Sequence, residues 1–120
     1  MAKIIKLMKS IELVVAKENI GGRDTFLTTY DLLKSAINNP AQGGFNVDEM
    51  IKRLRLLGEV EKHKDLFDIK PEDFKDELLE RKATLELEDA DFTKLKELFK
   101  EMKWGVVSKT IVDLSNQLDK

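Results

Sequence analysis

Ile4-Ile5-Lys6-Leu7-Met8-Lys9-Ser10-Ile11-Glu12-Leu13-Val14-Val15-Ala16 decides the fold, because it reads two ways. Taken alternately, Ile11, Leu13 and Val15 share one parity, which Ile5 and Leu7 continue, while Ser10, Glu12 and Val14 take the other. That is the period of a strand with one buried face. Taken at helical spacing, Ile4, Leu7, Met8, Ile11, Val14 and Val15 make a stripe just as well. The β-branched content, and the Asn19-Ile20-Gly21-Gly22 that follows, favour one or two strands. A strand here moves the chain from all-α to α+β.

Working outward, Asp24 or Thr25 is placed to cap a helix in which Phe26, Tyr30, Leu33 and Ile37 recur at helical spacing. Asn38-Asn39-Pro40 ends it, since the residue before proline is biased away from helix. The glycine pair Gly43-Gly44 marks residues 41–45 as a loop. Asn46 with Glu49 has capping-box spacing, and the helix it opens (residues 47–63) takes Val47, Met50, Ile51, Leu54, Leu57 and Val60 as its apolar stripe. Lys52, Arg53 and Arg55 fall off that stripe and read as a solvated basic face. Lys70-Pro71-Glu72 starts a third helix, with Phe74, Leu78 and Leu79 inward. Residues 84–88 alternate as a short strand. Glu88, Asp89 and Asp91 then open a fourth helix with Phe92, Leu95, Phe99 and Met102 on its stripe. Trp104-Gly105 breaks it, and a last helix carries Val107, Ile111, Leu114 and Leu118. The expectation is one α+β domain over residues 1–120, mainly helical, with four to five short helices. Its minor β component comes from residues 4–16 and 84–88, which could pair with each other.

Composition bounds the function. A chain of 120 residues suits one domain and can bury a core without a disulfide or metal staple. Cysteine is absent, which removes disulfides, thiolate metal sites and cysteine catalysis and fits a reducing cytosol. With 21 basic against 23 acidic residues, the excess expected of a phosphate-binding protein is missing, so nucleic acid is an unfavoured partner. No apolar run is long enough to span a bilayer, and lysines interrupt the N-terminal apolar pairs, unlike a secretory signal.

The catalytic motifs fail one by one. His63 is the sole histidine, with no second histidine or cysteine to complete a zinc site. Glu72/Asp73, Asp76/Glu77 and Glu86/Glu88 sit among lysines in amphipathic segments, where solvation and capping account for them. A calcium loop beginning at Asp89 would need glycine at its sixth place and an acid at its twelfth, where Lys94 and Lys100 stand. Gly21-Gly22 and Gly43-Gly44 lack the phosphate-cradle pattern and read as turns. No serine lies in a nucleophile elbow. The chain is therefore expected to be no enzyme, with no cofactor, metal or catalytic residue. Trp104 at a helix–helix corner, with Phe45 and Phe67, are the candidate interface residues, weighed against packing roles that are favoured for all three.

The order of segments resembles a group of small phage- and prophage-encoded proteins of unassigned function. The resemblance is carried by Thr29-Tyr30-Asp31-Leu32-Leu33-Lys34-Ser35-Ala36-Ile37, then Met50-Ile51-Lys52-Arg53-Leu54, then Leu85-Glu86-Leu87-Glu88-Asp89-Ala90-Asp91-Phe92, Leu95-Lys96-Glu97-Leu98 and Val106-Val107 with a closing helix. Residues 63–82 are longer than the group's pattern, and the resemblance brings no catalytic or ligand residue. It implies an accessory protein in the cytoplasm of an infected bacterium, or a minor capsid or connector component of the virion. The leading expectation is a small interaction protein whose partner is another protein or a second copy of itself. A nucleic-acid-binding regulator using Lys52, Arg53 and Arg55, with Lys62 and Lys64, is the further alternative.

Overall fold

The computed structural model describes residues 8–39 and 44–119. The decisive stretch is a strand: β1 spans Met8–Ile20, so pairing runs four residues past Ala16. Residues 4–7 of the expected strand lie outside the described residues. Ile11, Leu13 and Val15 are buried and Ser10 and Glu12 are exposed, as a sheet with one wet face requires.

Gly21 and Gly22, both at positive φ (61° and 83°), turn the chain as a two-residue hairpin needs. The chain then returns as β2 (Arg23–Thr28), paired Ile20 to Arg23 through Val15 to Thr28. This corrects the expected helix start at Asp24 or Thr25. The stripe beginning at Phe26 mixed a strand residue with helical ones. The helix α1 (Thr29–Ile37) opens one residue after the strand ends. Its cap is Thr28, whose hydroxyl accepts the Asp31 N–H at 3.1 Å. Asn38 closes it, and Pro40 lies outside the described residues.

β3 (Lys82–Glu88) pairs antiparallel with the first half of β1, Met8 opposite Glu88 and Ile11 opposite Leu85, so the two expected β segments do join. The order is β2-β1-β3. Because β2 and β3 take different halves of β1, each half has one edge unpaired by strand. Helices fill the gap beside the first half: Glu12 N–H donates to the Gln117 side chain at 2.9 Å, and Val14 N–H to the Thr29 hydroxyl at 2.9 Å. These two edge donors are satisfied without a fourth strand.

The remaining helices are α2 (Val47–Glu61), α3 (Lys64–Phe67), α4 (Asp89–Glu101) and α5 (Lys109–Leu118). The helix expected from Lys70-Pro71-Glu72 is instead two 3₁₀ turns, Pro71–Asp73 and Asp76–Glu80. Leu78 is still buried, and Phe74 stacks on Phe26 with ring centroids 5.1 Å apart. Val107, expected on the inner face of the last helix, is 97% exposed, because α5 starts only after Ser108. Ile111, Leu114 and Leu118 are inside as expected. The sheet is thus larger than a minor component, and one core joins it to α1, α4 and α5.

At the centre of that core Tyr30 is fully buried against Phe67, with ring centroids 6.4 Å apart, and its hydroxyl has no hydrogen-bond partner among the described residues. An unpaired buried hydroxyl costs about 1–3 kcal/mol of desolvation. Tyr30→Phe is therefore expected to leave the fold intact and raise stability by about 1 kcal/mol in thermal or urea unfolding. A loss of stability on that change would mean the hydroxyl is satisfied.

Candidate functional site

The surface with most to explain is α2. Asn46 caps it as expected, its side-chain oxygen accepting the Glu49 N–H at 2.8 Å. Glu49 does not return the bond to complete a capping box. It is drawn instead to Lys94 at 2.8 Å and Arg53 at 3.0 Å, and these hydrogen bonds, Lys94 first, hold its carboxyl below the usual range.

Arg53 is the largest departure from the sequence reading. It is buried, not part of a solvated face. Its Nη1 donates to the carbonyls of Ile37 at 2.9 Å and Asn39 at 2.8 Å, acceptors at the end of α1 and two residues beyond it. The guanidinium lies 4.4 Å from the Phe45 ring centroid. One side chain thus ties α1, α2 and the segment between them. Phe45 is half-buried by that stacking.

With Arg53 inward, the buried side of α2 is Arg53, Leu56 and Val60, and Leu57 is half-buried. The residues expected inside face outward: Val47 is 69% exposed, Met50 45%, Ile51 52% and Leu54 65%. They recur at i, i+3, i+4 and i+7, one continuous stripe. On one flank the stripe runs into an apolar groove of about 250 Å³ lined by Ile37, Phe45, Met50, Leu54 and Leu57. On the other flank is a wetter cleft of about 380 Å³, where Met8, Leu54 and Gly58 meet Arg55 and the acidic Glu86 and Asp91. The sequence carried a signal for this. Seven of the fifteen α2 residues are large and apolar, too broad an arc for one buried face.

The expected basic face is not assembled. Arg53 is inside, and Arg55 is paired with Asp91 at 3.2 Å and Glu88 at 4.0 Å. Lys62 is paired with Glu59 at 2.9 Å, Lys64 lies 4.0 Å from Asp68, and Lys52 is exposed. Of the other interface candidates, Phe67 is fully buried against Tyr30 and belongs to the core, the packing role favoured for it. Trp104 is half-buried at the α4–α5 corner, its ring 5.2 Å from that of Phe99. Trp104 thus packs with α4, and Phe45 with Arg53 of α2.

Among the described residues no group of three His, Asp or Glu side chains is placed to hold a metal ion, and no helix is long and apolar enough to cross a membrane. His63 is half-buried in a cleft with Glu59, Lys62 and Glu86. The class so defined is an α+β protein on a three-stranded antiparallel sheet, with substantial helix and one helix face left open. Compared with protein-family models, curated proteins and solved structures, the chain finds no match.

Proposed function

We propose that this protein acts by holding another protein rather than by catalysis, and that its contact surface is the outward face of α2. The observation that carries this reading is the exposed stripe Val47-Met50-Ile51-Leu54 lying beside an apolar groove. Four large apolar side chains in one stripe expose several hundred Å², the scale at which patches mark interaction sites. The groove, at about 250 Å³, is smaller than the usual ligand pocket and suits one or two apolar side chains. An amphipathic helix supplies such side chains at matching spacing, so the partner element is a helix.

The setting we propose, carried by the sequence resemblance alone, is a phage or prophage accessory protein in the host cytoplasm. The nucleic-acid alternative loses support with Arg53 buried and Arg55 engaged by acids. A photo-crosslinking amino acid in place of Leu54 is expected to give a discrete protein adduct in cells. The same group in place of the exposed Glu77, far along the chain in a 3₁₀ turn, is expected to give none. Equal labelling from both positions, or none from position 54, would sink the reading.

A further inference from the structure

We propose that the outer edge of β3 takes a fourth strand, an extended segment of a partner protein in which lysine or arginine alternates with apolar residues. This is a second surface, distinct from the outward face of α2, and it calls for a different partner element.

The backbone of β3 carries the first argument. β3 is an end strand of the sheet. Thr29 follows β2 directly, on the side of β1 away from β3, and Val14 N–H donates to its hydroxyl. Val14 therefore turns its backbone groups away from β3, and Glu12, whose N–H goes to Gln117, does the same. By the alternation of an antiparallel ladder, Ile11 and Leu13 between and before them are the residues bonded to β3, through Leu85 and Ala83. The N–H and C=O groups of Thr84 and Glu86 then point outward, where they have no hydrogen bond among the described residues. Donors and acceptors in that sequence along one edge are matched by the backbone of another strand. Neither proline nor lysine blunts the edge between Ala83 and Leu87.

The edge also has room beside it. Two adjoining hollows of about 380 and 370 Å³ lie between β3 and the second half of α2. On the helix wall Gly58 contributes no side chain, and a Cβ built there meets nothing within 4 Å.

Charge sets the side chains of the incoming strand. The bases lining the hollows are already engaged, Arg55 by Asp91 and Glu88, and Lys62 by Glu59. Glu86 is exposed and has no ion pair among the described residues. The residue paired directly with Glu86 shares its face of the sheet, so a cation there answers it. The next residues along fall beside Leu85 and Leu87, which point into the core, and are apolar.

The probe is a short capped peptide alternating lysine with valine, followed by amide NMR and hydrogen exchange on the whole chain. Saturable binding below about 1 mM is expected, with exchange slowed at the Thr84 and Glu86 amides. N-methylation of the peptide at alternate residues, in the register that removes the donors facing β3, is expected to weaken it at least ~10-fold. So is Thr84→Pro, which removes an outward N–H and leaves the ladder to β1 intact, with circular dichroism checking the fold. A glutamate–valine peptide is expected not to bind. No saturable binding, equal binding of the glutamate peptide, or indifference to N-methylation in either register would overturn the proposal. Protection of the Thr84 and Glu86 amides that grows with protein concentration, without peptide, would make the occupant a second copy and overturn it as well. Thr84→Pro is expected to leave the adduct from position 54 in place, so the α2 contact and the β3 edge stand or fall separately.

Discussion

Arg53→Ala is expected to cost about 3–5 kcal/mol of folding stability, the largest effect of any single change considered for α2. The reason is what the guanidinium leaves behind. The Ile37 and Asn39 carbonyls lose their donor at the end of α1, and Glu49 keeps Lys94 but loses one of its two cations. The Phe45 ring also loses the plane it stacks on. Deleting one member of a buried polar set strands the others in a site already closed to water, which costs more than the set contributed while intact. Arg53→Lys should recover only part, because a single ammonium cannot reach both carbonyls while stacking on Phe45. Urea unfolding of the three proteins checks the order: wild type above Arg53→Lys above Arg53→Ala. If Arg53→Ala fell within about 1 kcal/mol of wild type, the side chain would be solvated and the clamp absent. The same change reaches the surface, since Arg53 borders the groove beside Phe45 and Leu54. A looser α1–α2 junction should therefore weaken binding through α2 as well as lower stability.

Arg53 also shows where sequence reading stops. Periodicity reports which residues share a face, and it located β1, β3, α4 and α5 because each has one apolar face and one polar face. On α2 two apolar arcs compete, and the one with the cleaner spacing is the solvent-facing one. Nothing local signals that an arginine will turn inward, because its partners are carbonyls at and just beyond the end of another helix, 16 and 14 residues away. The missed β2 has a different cause. Thr25-Phe26-Leu27-Thr28 carries strand-favouring residues after a two-glycine turn, yet Phe26 happens to fall in phase with Tyr30, Leu33 and Ile37. The hairpin signal was present and was outweighed by an accidental helical register. Strand β1 resolved its own ambiguity only through partners: β3 and β2 pair with its two halves, and no such pairing is visible within residues 4–16 alone. The candidate surface was legible as a set of residues but not as a surface. Val47, Met50, Ile51 and Leu54 share the spacing of a core-facing stripe, and the structure turns that stripe outward.

Glu18→Gln is expected to destabilise the protein by about 2 kcal/mol at neutral pH and to remove a distinct acid-sensitive step. Glu18 sits near the end of β1, and its carboxylate reaches the start of α5, 90 residues on. Oε1 accepts the Lys109 N–H at 2.7 Å, Oε2 accepts the Thr110 N–H at 3.2 Å, and the Ser108 hydroxyl donates to Oε2. That hydroxyl in turn accepts the Ile111 N–H at 3.3 Å, so one carboxylate and one serine serve three first-turn amides. A full negative charge at a helix N-terminus is favoured by the amides and the helix dipole together. Burial alone would raise the pKa of Glu18. The donors from Ser108, Thr110 and Lys109 outweigh it and bring the value down from 4.5 to about 2. Because the folded-state value is the lower one, the stabilisation is complete above the unfolded pKa near 4.5. It is lost as pH falls from there through about 2. The full shift would correspond to about 3 kcal/mol, and the water reaching this half-buried carboxylate reduces it to about 2. Urea unfolding at pH 7 and near pH 3 separates the cases. The gap between wild type and Glu18→Gln should narrow at the lower pH, because protonation removes from the wild type the charge that glutamine already lacks. A gap of constant size at both pH values would mean that the link between β1 and α5 works through hydrogen bonding or packing without the charge.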